Sequence, residues 1–169
     1  MTLTEFDDLP EADAIAALLE CCACLRWAEA LVRQRPHGSI DALVDAAHAE
    51  WRKADEEELL VAFGAHPRLG DVAQLRERFD PVALREQGSV LDAAEAVLSR
   101  LKARNDAYFD RFGFIFIVCA TGLTAEEMLE RIEARIDNDR ATELANAARE
   151  QGRIMELRLR RMLDGESHA

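Results

Sequence analysis

The chain has 169 residues, of which 49% are apolar and 32% charged, with a formal net charge of −12. That length makes about one domain with a sizeable core, and no apolar run is long enough to cross a bilayer. The acidic balance, with no lysine- or arginine-rich stripe, argues against nucleic-acid and membrane partners; an anionic small ligand would need a local arginine.

The N-terminus, Met1 to Asp8, is acidic and has neither the basic nor the apolar region of a signal peptide. The chain ends Gly165-Glu166-Ser167-His168-Ala169, which is no peroxisomal address. The expected location is cytoplasmic.

Residues 10 to 34 read as one helix. Pro10 suits its first turn, and Ile15, Leu18, Leu19, Cys22, Leu25 and Ala28/Ala30 recur at helical spacing. Cys21, Cys22 and Cys24 fall inside that pattern, with Cys119 far away. They lack the spaced pairs of a structural zinc site and read as small buried apolar residues. Pro36-His37-Gly38-Ser39 is a turn, and Ser39 caps a second helix through about Trp51. His37, in the turn, and His48, on the helix, read as surface residues. Asp55, with Glu58 as capping partner, opens a third helix that runs to Ala65-His66-Pro67-Arg68-Leu69-Gly70.

Proline disfavours the α conformation in the residue before it, so His66 should sit where a helix has just ended. Gly70 then closes the turn. An imidazole held at a corner can give or take a proton near neutral pH. The same six residues also suit an ordinary helix-breaking turn.

Asp80-Pro81 starts the next helical piece, and Gly88 interrupts it. Ser89 with Asp92 forms a fresh capping box for a long helix from about Val90 towards Arg111. Glu86-Gln87 lies at the junction; if the piece from Pro81 is helical, Gln87 shares the apolar stripe of Ala83 and Glu86 lies at its edge. Phe112 to Ala120 is the most apolar stretch. Its composition would suit a buried strand, but there is no second strand to pair with it. It therefore reads as a buried helix end plus an extended connector, and a ligand rich in amides is one partner its backbone could find. Thr124-Ala125-Glu126-Glu127 is a capping box for a helix to about Ile136. Asp137-Asn138-Asp139 breaks it and caps the last helix, through about Leu163. There is no repeat, low-complexity tract or linker. The whole reads as a single all-α domain, residues 1–169, folded as a multi-helix bundle.

On the last helix, at about 100° per residue, Leu144, Ala147, Ala148, Ile154, Met155, Leu159 and Met162 define one stripe. Arg149, Arg153 and Arg160 fall outside it; Arg158 falls inside. An inward arginine calls for an anion. Two readings stand: an internal salt bridge, or a two-pronged clamp for a substrate carboxylate. A carboxylate, an amide, an imidazole and one inward guanidinium together form a kit for proton transfer on a polar, anionic small molecule.

These pieces resemble the 2-oxo-4-hydroxy-4-carboxy-5-ureidoimidazoline (OHCU) decarboxylases of urate breakdown. The resemblance rests on His66-Pro67-Arg68-Leu69-Gly70, Glu86-Gln87, the run from Phe112 to Gly122, and the tail from Asn138 to Leu159 with Arg158. The four are in order and cover most of the chain. The resemblance implies an all-α fold, usually a homodimer, that acts on OHCU with no metal or organic cofactor. It implies His66 as the proton-transferring residue, Glu86 as its support and Arg158 as the grip on substrate. Pro67, Ala83, Gln87 and the stretch Phe116, Ile117, Val118, Cys119 and Ala120 would line the site. Many members carry serine where this chain has Ala83, which removes one hydrogen bond to substrate. The implied product is (S)-allantoin. A rival from another class is an acidic helical binding or assembly module, in which His66 only makes a turn. A metal-dependent hydrolase is weaker still, because it needs a second ligand at helical spacing near His66.

Overall fold

A computed structural model describes residues 1–68 and 88–163, with the side chains of 88–93 excepted. The described residues form eight helices and no strand. These are α1 (Leu3–Asp8), α2 (Glu11–Cys21), α3 (Leu25–Arg33), α4 (Ile40–Trp51), α5 (Glu56–Gly64), α6 (Gly88–Phe112), α7 (Ala125–Arg135) and α8 (Arg140–Leu163). The expected helix start at Asp80-Pro81 and the Glu86-Gln87 junction lie outside the described residues, as do the Ser89 and Asp92 side chains. The chain divides into two compact units: Met1–Ala65 with Ala148–Ala169, and His66–Ala147.

Helix starts follow local chemistry. The Ser39 hydroxyl accepts from the Ala42 N–H at 3.1 Å. Asp55 with Glu58, and Thr124 with Glu127, close full capping boxes, each satisfying two N–H groups left over at a helix start. Asp139 accepts from the Thr142 N–H at 2.8 Å and opens α8. Thr2 with Glu5 closes a further box and opens α1, a helix the acidic N-terminal reading did not anticipate.

The first unit buries Phe6, Leu18, Trp27, Leu31, Leu43, Phe63 and Met155. The single helix expected over residues 10 to 34 is two. Cys22 (φ −151°, ψ 119°) and Cys24 (φ −128°, ψ 105°) are extended, and the Cys24 N–H donates back to the Cys22 carbonyl at 2.8 Å. The break changes which residues face inward. An unbroken stripe would bury Leu25; instead Leu25 is 56% exposed and Trp27 is fully buried. Indole is a larger apolar payload than a leucyl group, and its N–H finds the Ala47 carbonyl at 3.0 Å. Cys21, Cys22 and Cys24 are all buried, as read.

Both histidines read as surface residues belong to this core's edge. His37 is buried; its Nε2 donates to the Leu31 carbonyl at 3.1 Å, and its backbone N–H donates to the Asp7 carboxylate. A carbonyl can only accept, so Nε2 carries the proton. His48 is half-buried, with Nε2 3.0 Å from a Glu156 oxygen and its ring against Gly152. The His37 backbone N–H and the His48 ring each find a carboxylate from a distant part of the chain, Asp7 and Glu156.

In the second unit, α6 ends at Gly113, whose φ of 77° and N–H bond to the Phe109 carbonyl (2.8 Å) make a left-handed helix stop. From there the chain is non-helical to Thr124, as expected of a connector. Phe112, Phe114 and Phe116 all surround Tyr108, with ring centroids 4.6, 6.0 and 5.1 Å away. The connector therefore packs its rings against α6 at Tyr108. α7 then returns, with Glu133 accepting from Arg100 and Arg104 of α6.

Candidate active site

The His66-Pro67-Arg68 corner follows α5 directly. His66 sits in a bend and is half-buried, while Pro67 and Arg68 are exposed. Arg68 fastens the corner to α6: it donates to Asp106 at 3.0 Å and lies over the Phe109 ring at 4.4 Å. Lys102 also bonds Asp106 at 2.7 Å and, with Arg68, holds that carboxyl below its usual range. The expectation of an imidazole at a turn rather than on a helix face holds.

The second candidate element is the connector. Phe116 and Ile117 are buried, and Val118, Cys119 and Ala120 are half-exposed. Among the described residues the backbone N–H groups of Phe116, Ile117, Val118 and Ala120 meet no acceptor. Non-helical backbone with such donors, bordered by buried aromatic rings, is suited to a ligand with several oxygen acceptors.

A buried ionic cluster holds this backbone. Arg135 Nη1 donates to the Ile117 carbonyl at 2.9 Å, and its guanidinium lies over Phe116 at 4.6 Å. Arg135 pairs in turn with Glu143, which is fully buried and also accepts from Tyr108 Oη (2.6 Å), Asn138 (2.9 Å) and Asn146 (3.1 Å). Burial pushes the Glu143 carboxyl up, but the bonds from Arg135, Tyr108, Asn138 and Asn146 outweigh it and leave the group below its ordinary value. Burial, and then the bond to Glu143, pushes the Tyr108 phenol far up, so it stays a donor.

Sequence reasoning missed this cluster. The signal was available: residues 143, 147, 151, 155 and 159 are spaced in fours on α8, so Glu143 and Gln151 share the line of Ala147, Met155 and Leu159. All five are fully buried.

Arg158 belongs to the first unit and is half-buried. No carboxylate pairs with it among the described residues, so the internal salt bridge is not found there. Its Nη1 instead reaches the Glu20 and Cys21 carbonyls at 3.3 and 3.4 Å, at the C-terminal end of α2, where the helix dipole favours a cation. The structure thus places His66, Pro67 and Phe116 to Ala120 in one compact unit and Arg158 in the other. Ala83, Glu86 and Gln87 lie outside the described residues.

The OHCU decarboxylase family model matches residues 7–160 of this chain. The chain belongs to the OHCU decarboxylase family. It is 28% identical to a 2-oxo-4-hydroxy-4-carboxy-5-ureidoimidazoline decarboxylase of Haloferax volcanii, over 98% of both chains. It is 31% identical to the uric acid degradation bifunctional protein TTL of Arabidopsis thaliana, over 87% of this chain; it spans 46% of that relative, and 31% of a Bacillus subtilis bifunctional relative. Among solved structures it is similar to OHCU decarboxylase crystallised in the presence of (S)-allantoin, with a TM-score of 0.69, 29% identity, and coverage of 86% of this chain and 96% of that one. Among the described residues no helix is long and apolar enough to cross a membrane.

Proposed function

We propose that this chain is a cofactor-independent carboxy-lyase that converts OHCU to (S)-allantoin in urate degradation. The observation that carries the reading is the family match from residue 7 to 160, which spans the His66 corner, the connector and Arg158. It favours catalysis over a passive assembly module.

The chemistry asks little of a cofactor. When the bond from C4 to the carboxylate breaks, its electron pair forms a C4–C5 double bond, the C5–N π pair moves onto the ring nitrogen, which takes a proton, and carbon dioxide leaves. The ring itself is the electron sink. A proton then reaches C5 from one face, while the C4 hydroxyl gives up its proton and becomes a carbonyl. The protein's part is orientation, exclusion of water and one-sided proton delivery.

His66 moves the proton and Glu86 supports it. The backbone N–H groups of Phe116, Ile117, Val118 and Ala120, which meet no acceptor among the described residues, hold substrate oxygens, with Pro67, Ala83 and Gln87 completing the lining. Arg158 takes the substrate carboxylate on the strength of the resemblance alone. We take residues 1–169 as a single functional domain, cytoplasmic and homodimeric, with no nucleic-acid or membrane partner.

Replacing His66 with asparagine tests the assignment. The residue sits in a turn, so the fold should survive while decarboxylation falls at least about a hundredfold, the usual worth of a general acid or base. Full activity in the folded variant would remove His66 from the mechanism.

A further inference from the structure

Among the described residues of the second unit, one buried amide stands apart from the Glu143 cluster. Asn105 lies on α6 and is 5% exposed. It sits four residues after Leu101, three before Tyr108 and seven before Phe112, all buried, so its side chain is on the helix's inward stripe. Its Nδ2 meets no acceptor among the described residues. Buried amides are nearly always hydrogen-bonded, and an exception asks for a cause.

The path of the connector supplies one. The Phe116 ring packs on Tyr108 at 5.1 Å, and the next residue, Ile117, is held through its carbonyl by Arg135. Three helical residues rise about 4.5 Å, which sets Asn105 that far from Tyr108 along the axis. Extended chain covers about 3.3 Å per residue, which puts Ile117 and Val118 within reach of the level of Asn105. Among the described residues the backbone N–H groups of Ile117 and Val118 meet no acceptor. The stripe changes character there too: apolar at Leu101, aromatic from Tyr108 onward, and amide between them.

We infer that the Asn105 side-chain amide is a substrate-binding group, with Nδ2 donating to a carbonyl or carboxylate oxygen of the ureidoimidazoline held against residues 116–120. The inference rests on the proposed decarboxylase reading. An amide donor suits a ligand whose periphery is ring, ureido and carboxylate oxygen. It also explains why a donor is kept in an apolar stripe at a cost to the apo protein, since the bond is completed only when substrate arrives.

Asn105→Leu removes the amide at similar volume, and Asn105→Asp keeps the shape but removes the donor. The measurements are kcat/KM on freshly generated OHCU, apo melting temperature, and the melting shift induced by (S)-allantoin. The expected result for Asn105→Leu is an apo melting temperature at or above wild type, kcat/KM lower by about tenfold or more, and a reduced allantoin shift. If Asn105→Leu does not fold, Asn105→Asp carries the test, with the same expected loss of kcat/KM. Unchanged kcat/KM and allantoin shift in a folded variant would overturn the assignment, as would a lowered melting temperature with normal kinetics, the mark of a structural amide. A wild-type chain that makes no allantoin would instead sink the decarboxylase reading.

Discussion

Glu143→Gln is the sharpest perturbation of the scaffold behind the connector. The carboxylate is fully buried, and the Arg135 side chain it pairs with is 14% exposed. Glutamine keeps the shape but not the charge, while Arg135 stays cationic. Stripping one member from a buried pair costs roughly 3–5 kcal/mol. For a chain of this size each kcal/mol moves Tm by about 2–4 °C, which makes a fall of roughly 6–20 °C. Tyr108→Phe removes one 2.6 Å bond to the same carboxylate and bares no charge, so it should cost less, about 1.5–3 kcal/mol. Urea and thermal unfolding followed by far-UV circular dichroism read both. The pH dependence adds a second check. The folded carboxyl lies below its ordinary 4.5, so its contribution is present above that pH and is lost as pH falls through the folded value. The stability gap between wild type and Glu143→Gln should therefore narrow below about 4.5. A loss under about 1 kcal/mol, or a gap that does not narrow on acidification, would refute the reasoning.

Two further outcomes follow from the first unit. Arg158 rests on two carbonyls and no carboxylate among the described residues, so Arg158→Lys and Arg158→Gln should lower apo stability by only about 1 kcal/mol, while kcat/KM falls, further for glutamine. Apo destabilisation above about 3 kcal/mol with normal kinetics in the folded fraction would take Arg158 out of substrate binding. Burial pushes the Cys21 thiol up to about 11 and Cys22 up to about 12, so neither should react with Ellman's reagent at neutral pH unless the chain unfolds. Their contribution to stability is full below the ordinary 9.0 and is lost as pH rises toward the folded values, which an alkaline series of melts would show as a falling Tm.

What could be read from the sequence was local. The caps at Ser39, Asp55, Thr124 and Asp139 are chemistry between residues three apart, and all four are found. The connector was legible because a lone apolar run with no strand to pair with cannot be sheet. What escaped depends on distant partners. The break at Cys22–Cys24 follows from where Trp27 finds its core and its acceptor at Ala47. His37 is buried because Phe6 and Asp7 come to it, and Glu143 because Arg135 and Tyr108 do. The His66 corner was seen as a turn that positions an imidazole, yet its fastening to α6 through Arg68 and Asp106 spans 38 residues and has no sequence signature.

The handedness of the product tests the central claim most directly. OHCU generated in place and mixed with the protein should lose carbon dioxide faster than it does in buffer, and circular dichroism of the product should show (S)-allantoin alone, with chelator making no difference. Racemic allantoin appearing at the spontaneous rate would contradict the account.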